Sequence, residues 1–153
     1  MEKILISACF LGQKVRYDGG HQLIEHPQLL HWQQQGRLIS VCPEVCGGLA
    51  IPRLPAERNQ NDQRVYTKQG HDVTDAFERG ARHALALCQQ HDIKFALLKE
   101  SSPSCGSQTI YDGSFSSRKI AGQGITAALL TTHKIQVFSE QTLEQLIELV
   151  AHC

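Results

Sequence analysis

The stretch KFALLKESSPSCGS, residues 94–107, indicates how this chain folds. Its first half is a short apolar run, which is typical of a strand buried in a sheet. Its second half contains serines, a proline and a glycine and is typical of a turn. The turn holds Cys105 among backbone N–H groups and hydroxyls. Such a turn suits an anion or a metal–sulfur centre.

Two other stretches have the same form, an apolar strand that ends beside a cysteine. SACFLG places Cys9 after the first predicted strand, and SVCPEVCGG places Cys42 after the second. In parallel sheets, ligands bind outside the carboxyl ends of the strands, near the point where strand order reverses. We therefore expect Cys9, Cys42 and Cys105 to lie at one edge of a sheet.

The alternation of strands and helices predicts an α/β fold, an open, mostly parallel sheet of the Rossmann-like kind with helices on both faces. The apolar patterns predict strands over residues 3–8, 37–41, 93–100 and 135–139, and helices over 26–35, 74–90, 125–133 and 140–151. Thr74 or Asp75 is expected to cap the long helix and Ser139 the last one.

The remaining segments are expected to be short or irregular. QRVYTKQGHDVT, residues 63–74, resembles a small hairpin with Gly70 at its turn. Residues 42–62 hold three of the five prolines, and residues 110–124 are polar and turn-rich. A chain of 153 residues is expected to form one domain, residues 1–153.

The composition limits the classes of function. Fifteen basic and fifteen acidic residues give zero net charge, which argues against nucleic acid, including thiolated tRNA, as a partner. No apolar run approaches the roughly 20 residues of a membrane helix, and no signal peptide is recognisable, so we expect a cytoplasmic protein with no membrane partner. Six cysteines in a reducing compartment are not expected to form disulfides. Cys88 and Cys153 are expected to be small buried apolar residues.

The three strand-end cysteines are compatible with several kinds of site. Structural zinc takes four ligands, and Cys46 is available as a fourth, although no C-x2-C pair exists. A 4Fe-4S cluster with only three cysteine ligands leaves one iron open as a Lewis acid. Without a metal, Cys105 is a candidate nucleophile of a hydrolase or sulfurtransferase, with a histidine as base. A non-enzymatic metal-binding module is a further alternative.

Polar residues beside these cysteines are candidate acid–base and substrate-binding groups. Glu44 follows Cys42 by two residues, where a carboxylate can move a proton. Ser101 begins the Cys105 turn and can hydrogen-bond a substrate heteroatom, whereas Glu100 is interpreted as the strand end. The candidate contacts to substrate, which include cations for a phosphate, are Arg16, His21, Lys99 and Ser104.

Eight motifs occur in a specific order along nearly the whole chain: SACFLG, VRYDGGH, VCPEVCGG, PRLPAE, VTDAFERGA, LLKESSPSCGS, IYDGSF and GITAALL. With this ordered set, the chain resembles the bacterial thiouracil desulfidase family in its short, single-domain form. The resemblance implies a 4Fe-4S cluster whose three ligands fall on Cys9, Cys42 and Cys105. It also implies Glu44 as the acidic catalytic residue, with Ser101 as its helper.

The resemblance further implies a hydrolytic, non-redox reaction that removes sulfur from a small thiolated pyrimidine as hydrosulfide. The expected substrates are 2-thiouracil, 4-thiouracil or 4-thiouridine monophosphate. Their sulfur is expected to bind the open fourth iron, while Glu44 deprotonates the attacking water. Cys46 stands where relatives usually have an apolar or small residue. We favour Cys42 as the second ligand because it ends a strand and begins the shared C-P-E pattern.

Overall fold

The computed structural model describes residues 2–152. The prediction for Cys153 lies outside the described residues. In chain order the strands are β1 (Ile4–Ser7), β2 (Leu38–Val41), β3 (Ala56–Arg58), β4 (Val65–Thr67), β5 (Phe95–Leu97), β6 (Thr109–Tyr111), β7 (Lys119–Ala121) and β8 (Gln136–Phe138). The α-helices are α1 (Pro27–Gln34), α2 (Pro43–Cys46), α3 (Thr74–His91), α4 (Ile125–Thr132) and α5 (Leu143–Ala151). Within residues 2–152, no helix is both long and apolar enough to span a bilayer.

Four strands form one parallel sheet in the order β2-β1-β5-β8. The chain adds β2 on one side of β1 and then crosses to add β5 on the other side. Strand order therefore reverses between β1 and β5, which is where parallel sheets bind ligands. The predicted α/β fold with a mostly parallel sheet is confirmed.

Helices cover both faces of this sheet, and each face has its own core. Ile4 and Ile6 pack into one core with Trp32 of α1 and Leu146 of α5. Leu5 points to the opposite face, where residues of α3 and α4 form the second core. This alternation is the normal consequence of the two-residue period of a strand. Each large side chain removed from water stabilises the fold by about 1.5–3 kcal/mol.

Cys88 of α3 is 1% exposed and lies in the second core, as expected of a small apolar residue. Burial raises the pKa of its thiol to about 11. The cysteines among residues 2–152 are all free thiols. Cys88 therefore has a packing role and lies apart from the strand-end cysteines.

Two small antiparallel sheets differ from the sequence prediction. Strand β4 pairs with β3, from the segment expected to be irregular. The predicted hairpin around Gly70 is present as well: Gly70 N donates to the Thr67 carbonyl at 2.8 Å, and Tyr66 and Asp72 form an antiparallel bridge. Strands β6 and β7 form a second pair inside residues 110–124, which were expected to be turn-rich. Each of these strands has three residues, too few for a period-2 pattern to be recognised.

Two predicted helix caps are also wrong. The first residue before α3 is Val73, and Thr74 is already helical; its N–H donates to Asp72 Oδ1 at 2.9 Å. The last helix begins at Leu143 after Thr142, because the Ser139 hydroxyl is used in the preceding turn and accepts from Gln141 N at 3.1 Å. The Thr74 hydroxyl instead accepts from Val65 N of β4 at 2.8 Å, so in both cases another backbone segment takes the predicted capping side chain.

Helix α2 packs backbone to backbone on α3. A Cβ on Gly80 would lie 1.8 Å from the carbonyl oxygen of Pro43, and a Cβ on Gly47 would lie 1.9 Å from that of Ala76. Arg79 donates to the Gly47 carbonyl oxygen from Nε at 3.2 Å and from Nη2 at 2.9 Å. The position of α2 therefore depends on two residues without side chains.

We expect Gly80→Ala to displace α2, because the added methyl group overlaps the Pro43 carbonyl. Overpacking of this kind costs about 1–3 kcal/mol. The midpoint of thermal unfolding should fall by about 2–10 °C. Glu78→Ala, an exposed change on the same helix, is the control and should leave the midpoint unchanged. An equal midpoint for Gly80→Ala and wild type would contradict the tight packing of α2.

Candidate active site

A cavity of about 380 Å³ opens at the carboxyl edge of the parallel sheet, where Ser7 and Val41 end their strands. Cys9, Cys42 and Cys105 all line it. Cys9 lies in the 3-10 turn Ala8–Leu11 directly after β1, and Cys42 is the residue that precedes α2. Cys105 lies in the turn that follows β5. The parallel topology thus brings three cysteines that are distant in sequence to one space.

The two most buried of these thiols are Cys9 and Cys105, at 7% and 5% exposure. Burial and the neighbouring Cys42 raise the pKa of Cys9 to about 11, against the opposing charges of Arg16 and Lys99. Burial, followed by the charges of Glu44 and Cys42, raises the pKa of Cys105. Each thiolate therefore opposes the ionisation of the next.

Cys42 is half-buried, and burial raises its pKa as well. The backbone N–H groups of Val45 and Glu44, in the first turn of α2, act in the opposite direction. In the protonated form, Cys42 Sγ donates to the carbonyl oxygen of Val15 at 3.8 Å. Its thiol thus faces the cavity from the start of a helix whose N–H groups favour the thiolate.

This donor set fits an iron–sulfur cluster better than a single metal ion. Thiolate ligands suit soft metals, and a bound positive charge offsets the repulsion among buried thiolates. Among residues 2–152, no group of three or more His, Cys, Asp or Glu side chains is placed to hold one metal ion. In a cluster each thiolate binds a different iron, so the ligands need not converge on one point.

Cys46 does not take part in this arrangement. It is exposed at the end of α2 and is not among the residues that line the cavity. The four-cysteine zinc site considered from the sequence is therefore not formed. Cys42 is the extended residue that precedes α2 and lines the cavity, whereas Cys46 is the last residue of this helix and is exposed to solvent.

Glu44 lies in the cavity wall and is tied to Arg53. Glu44 Oε1 accepts from Arg53 Nε at 3.2 Å, and the two side chains are 18% and 9% exposed. Burial raises the pKa of Glu44, whereas Arg53 and a hydrogen bond from Ser102 oppose this rise. A carboxylate held in place on a cavity wall is suited to accept a proton.

Arg53 and Ser102 are functional candidates that the sequence interpretation missed. Arg53 Nη2 donates to the Val15 carbonyl at 3.0 Å, the same oxygen that Cys42 Sγ contacts. Ser102 Oγ accepts from the backbone N–H of Cys105 at 3.1 Å, so Ser102 connects the cysteine turn to Glu44. The only available signal was their presence in the motifs PRLPAE and LLKESSPSCGS. Spacing does not reveal which serine contacts Glu44.

Ser101, the predicted helper, also lines the cavity, but its hydroxyl has a different partner. Ser101 Oγ shares a hydrogen bond of 2.9 Å with Thr109 Oγ1. Its backbone lies in the left-handed region, with φ of 65°. A residue with a side chain is strained there unless the surroundings hold it, and such strain is frequent at functional sites.

Glu100 holds this strained turn and is more than the end of a strand. Its buried carboxylate accepts hydrogen bonds from the N–H groups of Ser101, Ser107, Gln108 and Thr109 and from the Ser107 hydroxyl. Burial raises the pKa of Glu100, but these hydrogen bonds outweigh it and bring the pKa below its usual value. The ionised carboxylate therefore organises the turn that carries Ser101.

The predicted substrate contacts divide into two groups. Arg16 and Lys99 line the cavity, although Lys99 Nζ is paired with Glu140 Oε2 at 2.7 Å. His21 and Ser104 are not among the residues that line the cavity. His21 is exposed and caps a local turn, where its Nδ1 accepts from Leu23 N at 3.1 Å. Ser104 is fully buried and shares a hydrogen bond of 2.7 Å with Thr126.

A further part of the cavity lining comes from the small sheets, which sequence patterns did not place near the site. Tyr111, Phe115 and Lys119 of the β6–β7 hairpin line the cavity, as does Lys68 beyond β4. Lys119 Nζ lies 5.6 Å from the centre of the Tyr111 ring. The cavity therefore has a cysteine-bearing wall and a wall that carries aromatic rings and cations.

Comparison with known proteins agrees with the resemblance inferred from the sequence. The family model for 2-thiouracil desulfurase matches residues 4–142. The uncharacterised protein YbbK of Bacillus subtilis (strain 168) is 38% identical over 152 residues, which cover 94% of this chain and 99% of that protein. A solved structure of TudS (DUF523Vcz), described as a [4Fe-4S]-dependent thiouracil desulfidase, is 51% identical over the full length of both chains, with a TM-score of 0.96. The chain belongs to the 2-thiouracil desulfurase family.

Proposed function

We propose that this protein is a 4Fe-4S-dependent desulfidase that hydrolyses thiolated pyrimidines and releases hydrosulfide. The observation that carries the proposal is the meeting of three strand-end cysteines and Glu44 in one cavity. Similarity to a structure described as a [4Fe-4S]-dependent thiouracil desulfidase supports it. We assign the activity to one domain, residues 1–153, and to the cytoplasm, where thiols stay reduced.

Cys9, Cys42 and Cys105 are the proposed cluster ligands. When bound, a cluster with three cysteine ligands supplies an open iron that accepts the substrate sulfur as a Lewis acid and makes the ring carbon electrophilic. The exposure of Cys46 and its absence from the cavity lining support Cys42 as the second ligand. Arg16 and Lys99 favour the thiolate form of Cys9 by their charge.

Glu44 is the proposed general base. It takes one proton from water as the water oxygen adds to the ring carbon. The second O–H proton passes to the sulfur as the C–S bond breaks and the C=O bond forms, so the products are the oxo-pyrimidine and hydrosulfide, and Glu44 releases its proton to solvent. Arg53 Nε donates to Oε1 of the carboxylate at 3.2 Å, which holds Glu44 in the cavity wall. Ser102 keeps Glu44 aligned with the Cys105 turn, and Ser101 is placed to hydrogen-bond a ring heteroatom.

A cysteine-nucleophile mechanism has less support. A nucleophilic cysteine normally has a lowered pKa and a histidine beside it. Burial and neighbouring negative charge raise the pKa of Cys105 instead. The described part of the chain contributes no histidine to the cavity lining.

The cavity also supports a nucleotide as the preferred form of the substrate. Arg16, Lys68 and Lys119 line it, and no ion pair joins them to a carboxylate within residues 2–152. Unpaired cations in a cleft attract a phosphate. The rings of Tyr111 and Phe115 are suited to stack on a pyrimidine.

Anaerobic purification tests the proposed function. We expect a brown protein with about four iron and four sulfide atoms per chain and absorption at about 400 nm. With this protein, 2-thiouracil or 4-thiouridine monophosphate should yield hydrosulfide and the corresponding oxo-pyrimidine without an added reductant. A colourless protein that is active without iron would overturn the proposal.

Lys119→Ala tests the nucleotide preference. We expect the KM for 4-thiouridine monophosphate to rise about tenfold, because a charge-assisted contact to phosphate is lost. The KM for 2-thiouracil, which has no phosphate, should stay within twofold. Lys94→Ala, an exposed change outside the cavity lining, is the control. An equal rise for both substrates would contradict a phosphate contact.

A further inference from the structure

Glu57 connects two motifs of this chain, and the proposed chemistry gives its carboxylate no role. It ends the motif PRLPAE and lies in β3, whereas the motif IYDGSF forms the turn after β6. Glu57 Oε1 accepts from the backbone N–H of Gly113 at 3.0 Å and from that of Phe115 at 3.2 Å. Glu57 also lines the cavity. One carboxylate oxygen thus holds the tip of the β6–β7 hairpin.

This hairpin needs an anchor. Its strands have three residues each, and isolated two-stranded hairpins are at best marginally stable in water. Phe115 and Ser117 have φ of 57° and 62°, a left-handed conformation that is unfavourable for residues with side chains. The turn therefore keeps its shape only where tertiary contacts hold it.

The contacts on both sides of Glu57 provide this support. A Cβ on Gly113 would lie 2.9 Å from the Arg58 carbonyl oxygen, so the turn rests directly on the chain after β3. Arg58 Nη1 donates to the Gln123 carbonyl at 2.9 Å, just beyond β7. Two consecutive residues, Glu57 and Arg58, therefore tie the tip and the far end of the hairpin segment to β3.

The anchored hairpin lines the same cavity as the cysteines. Tyr111, Phe115 and Lys119 reach the cavity from it, whereas Cys9, Cys42 and Cys105 come from the edge of the parallel sheet. We propose that Glu57 is a positioning residue for substrate binding: its carboxylate locks the β6–β7 turn so that Phe115 and Lys119 face the cavity. The inference rests on the proposed function for the identity of the substrate.

Glu57→Ala and Glu57→Gln test this role as a pair, because glutamine keeps an oxygen that can accept from both N–H groups. In Glu57→Ala, hydrogen exchange of peptides covering residues 112–116 should be about tenfold faster. The dissociation constant of uridine monophosphate, and the KM for 4-thiouridine monophosphate, should each rise about tenfold. The kcat should stay within twofold and the iron and sulfide content should not change. Glu57→Gln should restore wild-type values, and Glu78→Ala is the unaffected control.

Three outcomes would overturn the inference. The first is equal hydrogen exchange and equal nucleotide affinity in Glu57→Ala and wild type. The second is a fall in kcat at constant KM. The third is faster hydrogen exchange in β1 and β5 as well, which would give Glu57 a role in general stability. If wild type releases no hydrosulfide, the proposed function fails. The exchange and uridine monophosphate measurements still decide whether Glu57 positions the hairpin, because neither requires turnover.

Discussion

Cys42→Ser is expected to lose both the iron–sulfur absorption and hydrosulfide release, whereas Cys46→Ser should keep both. The two cysteines belong to the same short segment, but only Cys42 lines the cavity, and Cys46 is exposed. Changes in groups that merely support metal ligands cost 10–100-fold in affinity or activity, so loss of a ligand should leave less than about a hundredth of wild-type turnover. Iron and sulfide content, absorption and turnover of 2-thiouracil measure the effect.

Each of the two variants is the matched control for the other, because both replace a cysteine sulfur by oxygen and the two positions are four residues apart. Retention of the cluster in Cys42→Ser together with its loss in Cys46→Ser would assign the second ligand to Cys46. Loss in both variants, with an unchanged midpoint of thermal unfolding, would also contradict the assignment. Cys88 lies in the core behind the site and is not a proposed ligand. The variant Cys88→Ser therefore measures the loss of stability that results from replacing a buried thiol alone.

Glu44→Gln is expected to lower kcat by about 10²–10⁴-fold while the iron and sulfide content stays at the wild-type level. The amide oxygen can still accept from Arg53, so the side chain keeps its place in the wall. An amide cannot take a proton from water at neutral pH, so the substitution removes the proton-transfer step and no other. The measurement is single-turnover hydrosulfide release by protein with a full complement of iron.

Glu25→Gln is the control for this substitution, since Glu25 is exposed and lies outside the cavity lining. Full turnover of Glu44→Gln with an intact cluster would exclude Glu44 as the base. A loss of iron in step with activity would instead indicate that Glu44 supports the ligand turns. The two results are distinguishable because iron content and kcat are measured on the same preparation.

The parallel sheet and the meeting of its strand-end cysteines could be predicted from the sequence. Apolar runs such as residues 94–98 have a clear pattern, and right-handed crossovers leave few alternatives for how such strands are joined. The carboxyl ends of parallel strands share one edge, so Cys9, Cys42 and Cys105 followed from strand positions alone. The family resemblance, confirmed by the match over residues 4–142, rested on the same ordered motifs.

The partners of the candidate catalytic groups could not be predicted in this way. Arg53 lies nine residues after Glu44 in sequence and still donates to its carboxylate. Which of the two serines, Ser101 or Ser102, lies near Glu44 depends on the left-handed backbone at Ser101. His21 and Ser104 lie within the motifs VRYDGGH and LLKESSPSCGS, yet their side chains hydrogen-bond Leu23 N and Thr126 and are not part of the cavity lining. The position of a residue in a motif does not determine where its side chain points when the motif forms a turn.

Hydrophobic periodicity and an ordered set of motifs were sufficient to predict the fold class, the sheet edge at which the cysteines meet and the family. Tertiary contacts were needed to show that Cys46 lies outside the cavity lining, that Glu100 organises the cysteine turn and that Glu57 holds the β6–β7 hairpin. These features depend on hydrogen bonds between segments distant in sequence, such as Glu57 to Gly113, and on backbone contact at Gly80. Such contacts arise only after the strands and helices have packed, so no local pattern of residues encodes them.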